Sequence, residues 1–521
     1  GQTSPLDFIK DIPSVGSVLG DSNQFAQGAQ GLNGVGSINL RNLGPQRTLV
    51  LLNGRRTIVA PGAGITDTNL LPLFALQRVE LLKDGAAVTY GSDAVAGVAN
   101  FITRNNFEGI EAQADYTFVE DSDGDYTASI LGGINLTPDI NVMAGFGYRH
   151  RSPLAAIDRE FSNQPFEVNP AGYSGISSVS TLVAIGLRPD LPAGVGAVGA
   201  TPDANCAPLG GVPGRLGSGT ATCYYQYTDY NNLVEDQDFY QAFGSINADL
   251  NATLRFNADV LYARSEVTTA LSPSYLTSKG PRGVGLATPY SVPTSNPGFD
   301  DFVAQTGYTP GAFGNLLAVY RPLSLGGNPL HGEPFGSEGV SIADSYRISA
   351  GLEHDLTDTI TASFQGTYID SGSSGITDYL PFRLQNAING LGGPNCNVQT
   401  GTPGQGDCYY FNPFSNAIER NPQTGQVNPG FVPGNENRLD VIDFLFEDNG
   451  VNEKERQYIA DFLISGEIPG ADFGAGALAF GVGAQYRKSD YSVVPVNEFS
   501  DLSLYPCPGQ DQDLGETSGT Y

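Results

Sequence analysis

From Gly109 onward the chain repeats one pattern, stretches of ten or so residues in which apolar positions alternate with small or polar ones. In IEAQADYTFV (110–119), Ile110, Ala112, Ala114, Tyr116 and Phe118 share one face. The same alternation returns in ASILGGINL, INVMAGFGYRH, FYQAFGSINADL, TLRFNADVLYARS, SYRISAGLEHDL, ITASFQGTYIDS, QYIADFLISGEI and ALAFGVGAQYRKSDYSV. Period-2 alternation over such lengths is the signature of half-buried strands, and about nine are predicted. A soluble sandwich alternates in the same way, so periodicity alone leaves the class open.

The connections narrow it. They run short at 119–126, very short at 137–140, very long at 151–237 and very short at 250–252. The sequence continues long at 267–343, short at 355–358, long at 371–456 and short at 469–476. Ordinary domains seldom carry loops beyond about 12–15 residues without structure of their own. Outer-membrane barrels alternate short turns on one side with long loops on the other.

Residues 1–107 read differently, as a small α/β domain. TLVLLNGRRTIVA predicts a hairpin: Leu49–Leu52, an Asn53-Gly54 turn suited to positive φ, and a return over Arg55 to Ala60. Pro72 opens a short helix, Arg78–Leu82 is a strand, Asp84-Gly85 turns the chain, and VANFITR closes the region.

Composition agrees with many strands and turns: 67 Gly in 521 residues, 25 Tyr, 27 Phe and no Trp. The net charge of −29 argues against nucleic acid as a partner, because phosphate neutralisation needs Lys/Arg patches. No run of about 18 apolar residues is present, so no transmembrane helix is predicted. GQTSPLDFIK has neither an initiator Met nor a signal-peptide pattern, which predicts a start downstream of any targeting segment.

Cys206 and Cys223 share one long loop and Cys396 and Cys408 another. No CxxC spacing occurs and His150, His331 and His354 lie far off, so two disulfides in an oxidising compartment are favoured over a metal site. Cys507 is left over, which predicts a partner beyond Tyr521 and a barrel that continues past it.

INLRNLGPQRTLVLLNGRR, followed by LLPLFALQRVELLKDGAAVTYGSDAVAGVANFITR, resembles the plug domain of TonB-dependent outer-membrane receptors. The family pattern is met at Arg41, Asn53, Gly54, Glu80, Lys83, Tyr90, Gly91, Gly97 and Asn100. Asn42 stands where Gly is usual, and Ala87 or Val88 where Ser is common. The resemblance implies a plug at 1–107 and, over 108–521, the N-terminal part of an antiparallel barrel of 22 strands with extracellular loops. It implies no cofactor and no catalysis. The Ton box that TonB grips is not recognisable in residues 1–20 and is expected upstream. Small residues and the polar Lys83, Asp84 and Asp93 suit a close, wet contact between plug and lumen wall.

No catalytic constellation is present: the three His are scattered and no G-x-S-x-G occurs. DSDGDY (121–126) has the flavour of a calcium loop but lacks the sixth-place Gly and twelfth-place Glu, and reads as a hairpin tip. Lumen Glu and Asp are expected to pair with plug Arg41, Arg78 or Lys83. GRRTIVAPGAGITDTN is the candidate plug apex, where Arg55 and Arg56 can meet an anionic chelate or a carbohydrate. Tyr224, Tyr225, Tyr409 and Tyr410, in two Cys-Tyr-Tyr repeats, can stack on a sugar ring or an aromatic siderophore, or pack the loops against themselves. The implied function is TonB-dependent uptake, with a ferric siderophore as the family default and an oligosaccharide as rival. A β-rich surface adhesin is the reading from a different class. The implied surroundings are outer-membrane lipids, with the plug facing the periplasm.

Overall fold

The computed structural model describes residues 14–16, 35–83, 85, 90–179, 181–187, 195–273, 290–308, 314–332, 336–379, 382–472 and 477–501. Residues 1–13, Asp84, residues 86–89 and Cys507 fall outside the described residues.

The N-terminal unit is built on β1 (Thr48–Leu52), β2 (Arg55–Arg56), β3 (Val59–Ala60), β4 (Ile65–Thr66), β5 (Leu76–Leu82) and β6 (Gly97–Thr103). Its sheet runs in the order β2-β1-β6-β5, with β1 parallel to β6. Strand β1, TLVLL, is buried at every position, as an uninterrupted apolar run between two neighbours should be. Pro72 precedes a single 3₁₀ turn, Leu73–Ala75, rather than a helix. The predicted hairpin is shorter than its sequence suggests. Only Leu51↔Arg56 and Leu52↔Arg55 pair, after which Val59–Ala60 turns away to pair with Ile65–Thr66.

Nine antiparallel strands follow as one meander. They are β7 (Gly109–Thr117), β8 (Asp125–Thr137), β9 (Ile140–Arg151), β10 (Asp236–Asn251) and β11 (Leu254–Leu271). They continue as β12 (Ser337–Thr357), β13 (Ile360–Tyr379), β14 (Glu447–Asp472) and β15 (Ala477–Pro495). Tight turns at 138–139, 252–253 and 358–359 close one end of the sheet, and the long loops leave from the other.

The alternation has the opposite sense to that of a soluble strand. Its apolar face points away from the plug: Ile110 is 81% exposed and Phe364 56%. Along that face lie Ile130, Ile134 and Leu136 on β8, Val260 on β11, Ile348 and Leu352 on β12, Phe462 on β14 and Val482 on β15. Among the described residues, and as far as Ile468 on β14, no Asp, Glu, Lys or Arg on the strands shares their parity on this side of a row of tyrosines, one on each strand. The row is Tyr116, Tyr126, Tyr148, Tyr240, Tyr262, Tyr346, Tyr368, Tyr458 and Tyr486. Four strand pairs set two of them directly opposite one another: Tyr116↔Tyr126, Tyr148↔Tyr240, Tyr262↔Tyr346 and Tyr368↔Tyr458. From Tyr126 to Leu136 the strand covers ~33 Å, and a tilt of about 40° reduces that to the ~25 Å height of a lipid-facing band. Amphipathic tyrosine rings at one rim of such a band are an interfacial girdle.

The inward face packs on the plug. Leu131, Met143, Phe243, Leu261, Ile369 and Ile459 from the wall join Leu40, Val50, Leu52, Ile58 and Phe101 in one buried cluster. The contact is therefore partly apolar, beside the wet, hydrogen-bonded contact that the sequence suggested.

The long loops fold. Segments 181–187, 195–202, 290–292 and 316–319 form a four-stranded sheet, flanked by α1 (Phe299–Thr306), α2 (Phe382–Ile388) and α3 (Leu439–Leu445). Leu182, Phe302, Leu316, Leu384, Phe411 and Ile442 share its core, so all three long loops are tied into one cap. Asp203 is buried in this cap, where the Ser415 backbone N–H donates to it at 2.7 Å. Burial pushes its carboxyl above the usual range, partly offset by the Ser415 hydrogen bonds.

Candidate functional site, the plug seated in its wall

Hairpin β1–β2 delivers two guanidinium groups to the lumen wall. Asn53 (φ 54°) and Gly54 (φ 75°) make its turn with positive φ at both positions. The turn is fastened to β6: the Gly54 N–H donates to Asn100 Oδ1 (2.8 Å), and Asn53 Oδ1 accepts from the Thr103 N–H (2.9 Å). Arg55, beyond the turn, is only 4% exposed. It donates to Gln365 Oε1 (2.8 Å), Ser349 Oγ (2.7 Å) and Asn257 Oδ1, on three adjacent wall strands. From the wall, Arg347 reaches inward, fully buried, pairs with Asp259, and donates to the carbonyls of Arg56 (2.9 Å) and Leu52 (3.3 Å).

A second contact lies beside it. Asp93 of the plug takes Arg56 (2.8 Å) on one side and Arg487 of β15 (2.9 Å) on the other. Burial pushes the Asp93 carboxyl up, but the two guanidinium groups outweigh this and hold it below the usual carboxylate range. Burial lowers the pKa of both Arg55 and Arg56. Higher up, the tip of the following loop meets the wall where the Gly62 N–H donates to Glu455 Oε2 (3.2 Å).

These placements correct several expectations. Arg55 binds the wall and Arg56 pairs with Asp93 of the plug, so neither presents a free cation to a ligand. Arg41 donates to the carbonyls of Val95 (2.7 Å) and Ala96 (3.2 Å), within the plug. Arg78 pairs with Glu80 of its own strand (2.8 Å), and Lys83 is exposed. The wall partners are instead Arg56–Asp93–Arg487 and the plug's own carbonyls, with Arg104 pairing Glu111 (2.8 Å) where the plug runs into β7. No sequence signal marked Arg347, because its meaning depends on which strand faces the hairpin.

Tyr225 is 1% exposed, with the Arg321 guanidinium 5.2 Å from its ring centroid, and is core rather than a ligand platform. The Tyr224 hydroxyl donates to the Arg215 carbonyl (2.9 Å) and its ring packs on Phe166. Arg438 covers Tyr409 at 4.0 Å, and the Tyr410 hydroxyl donates to Ser295 Oγ (3.1 Å). All four tyrosines thus serve cap packing. Disulfides join Cys206 to Cys223 and Cys396 to Cys408, with Cα atoms 5.6 and 4.7 Å apart. Tyr90 is half-exposed, and Gly91 and Gly97 hold positive φ. Asn42 has φ 58°, which explains why Asn can replace the usual Gly there.

In DSDGDY, Asp121 is engaged by Arg159 (2.8 Å). Cross-strand register gathers another group that the sequence hid, His150, Asp236 and Asp238, with ligand atoms within 4.8 Å of one another. It lies on the outer face just beyond the tyrosine row.

Residues 1–98 match the family model described as TonB-dependent Receptor Plug Domain. The chain is similar to the vitamin B12 transporter BtuB of Photobacterium profundum, 27% identical over 179 residues, which are 34% of this chain and 26% of the relative. Among solved structures it is similar to FpvA of P. aeruginosa bound to heterologous pyoverdines (TM-score 0.43, 9% identity, 94% of this chain and 40% of that one). It is likewise similar to the siderophore receptor PirA of Acinetobacter baumannii (TM-score 0.43, 14% identity, 94% and 46%). The chain spans about a quarter of the curated relative and less than half of these solved chains.

Proposed function

We propose that the chain is part of a TonB-dependent receptor of the Gram-negative outer membrane and takes part in energised uptake of a scarce ligand. Residues 1–107 act as the plug and 108–521 as the barrel part, with the cap outside the cell and the tight turns in the periplasm. The plug's seat carries the reading. The Arg55, Arg347 and Asp93 contacts hold it across several wall strands with hydrogen bonds that water can replace once it enters. Pulling by TonB on a segment before the described residues would exchange these bonds and open a path. The relatives are transport receptors, and transport by remodelling needs no covalent step.

A ferric siderophore is the family default. An oligosaccharide is its rival, and neither keeps local support from the Arg55-Arg56 pair, since Arg55 is committed to the wall and Arg56 to Asp93 of the plug. Growth of strains lacking this receptor or lacking TonB, on ferric chelates as iron source and oligosaccharides as carbon source, tests the proposal. The expected result is a defect shared by both strains on the same compound. Parental growth of the receptor-lacking strain on every compound, or a defect that TonB loss does not reproduce, would overturn it.

A further inference from the structure

A cavity of about 250 Å³ opens between the plug and the wall, on the loop side of the Arg55 and Arg347 contacts. Val59, Ala60, Pro61 and Asp67 bound it from the plug, and Ser265, Ser341, Ser345, Ser373 and Glu453 from strands β11 to β14. It exists because the wall changes character along these strands. Deeper in the lumen the inward positions are Leu261, Ile369 and Ile459, which pack on the plug core. Further out, the inward positions on β11 to β13 become serine, alanine and glycine, too small to fill the gap, while β14 brings Glu453 and Val451 to its edge. About 250 Å³ holds several waters, and the lining supplies the polar partners they need.

Its charge is one-sided. Asp67 Oδ1 is fixed by the N–H groups of Gly36 and Asn69, both at 3.0 Å. Glu453 accepts from the Tyr491 hydroxyl (2.5 Å) and from Ser373 Oγ (3.1 Å). Glu455, two residues along β14, accepts from Gly62 on the plug loop. Among the described residues lining the cavity there is no Lys or Arg. The cations on the same face of the plug, Arg55 and Arg56, lie deeper and are committed to Gln365, Ser349 and Asp93. Carboxylates in a narrow cleft act on a passing charge more strongly than in open water.

We propose that this cavity, in which serine hydroxyls and the Asp67 and Glu453 carboxylates stand among apolar side chains such as Val59, Leu70 and Val451, selects by charge, admitting uncharged, hydroxyl-bearing ligands to the plug and turning away anionic chelates. Serine hydroxyls both donate and accept, which suits sugar hydroxyls, and no group there compensates a negative ligand. The ligand's onward passage rests on the uptake reading; the selection itself does not.

The test needs neither TonB nor the natural ligand. Ser341→Cys is introduced in a Cys507→Ser background, and isolated outer membranes are treated with three methanethiosulfonates. These carry hydroxyethyl (neutral), trimethylammonioethyl (cationic) or sulfonatoethyl (anionic) groups. Rates are normalised to each reagent's rate with a free thiol. The neutral and cationic reagents should modify the site, with the anionic one slower by about tenfold or more, and Glu453→Gln should remove most of that difference. Equal normalised rates would overturn the charge selection. Failure of all three at Ser341→Cys, while the exposed cap position Ser218→Cys reacts, would overturn the accessible cavity. Either failure leaves the uptake proposal standing, since growth on the ligand panel is read independently.

Discussion

Gly97 begins β6 where a side chain has no room. A Cβ there would lie 2.6 Å from the Leu82 carbonyl oxygen and 2.9 Å from Leu40 Cδ1, at φ 128°. Gly97→Ala should cost about 1–3 kcal/mol or more of plug stability, through strain that only a shift of β5 relieves. Limited proteolysis of membranes should then release plug fragments sooner than from the parent; an unchanged cleavage rate would show that β5 gives way easily. Arg347 is the other residue whose role is sharply defined. Arg347→Met strands Asp259 in a buried site, at a cost of about 3–5 kcal/mol. Adding Asp259→Leu should recover most of that loss in thermal unfolding, because the stranded charge goes with it. If the double variant is as unstable as the single one, the plug carbonyls bound by Arg347 matter more than the ion pair.

Among the elements, the barrel strands are governed by their outward parity. Phe364 sits midway along the apolar stretch of β13, between Ile360 and Tyr368, and is exposed on the face away from the plug. Phe364→Arg should destabilise the inserted barrel by about 2–4 kcal/mol, the cost of a cation near a bilayer midplane. Heat-modifiable gel migration and urea-dependent folding into vesicles measure this. Insertion as stable as the parent's would mean that this face does not meet lipid. The same parity explains what the sequence made legible at this scale. All nine alternating segments match β7 to β15, because lipid on one side and plug on the other force a period of two on every strand. The tyrosine row was equally present in the sequence, but its members line up only once register is known. Tyr148 and Tyr240 are 92 positions apart in the chain and directly opposite in the sheet.

Across the whole molecule, the cap and barrel meet at Glu235, just before β10. This buried carboxylate accepts from the Ala270 N–H (3.0 Å) at the end of β11 and from Asn232 (3.1 Å). Burial pushes its pKa up to about 7, partly offset by those two hydrogen bonds. The folded state therefore binds a proton more tightly than the unfolded chain, whose value lies near 4.5. The stabilisation is full below about pH 4.5 and is lost as pH rises through about 7, amounting to no more than about 3 kcal/mol. Hydrogen exchange in the cap should be slower at pH 5 than at pH 8 after correction for intrinsic rates, and Glu235→Gln should flatten the difference. A cap protected equally at both values would remove Glu235 as the cause. The Cys396–Cys408 bond closes a separate part of the cap, and Cys396→Ser with Cys408→Ser should lower cap stability by about 3 kcal/mol. Protease nicking confined to 390–410 is the expected readout, and resistance equal to the parent's would show that packing alone holds that loop.

The sequence by itself determined the strands, the alternation of tight turns and long loops, and the Asn53-Gly54 and Gly97 positions of the plug. Each is a local demand of backbone conformation or of facing two environments, and needs no knowledge of distant neighbours. Tertiary structure alone decided what Arg55, Arg56 and the Cys-Tyr-Tyr tyrosines do. A guanidinium or a phenol serves equally well in a ligand site, a wall contact or a folded cap, and only the strands brought opposite it choose between them. That is why Arg55 meets Asn257, Ser349 and Gln365, residues 202 to 310 positions away, in place of solvent.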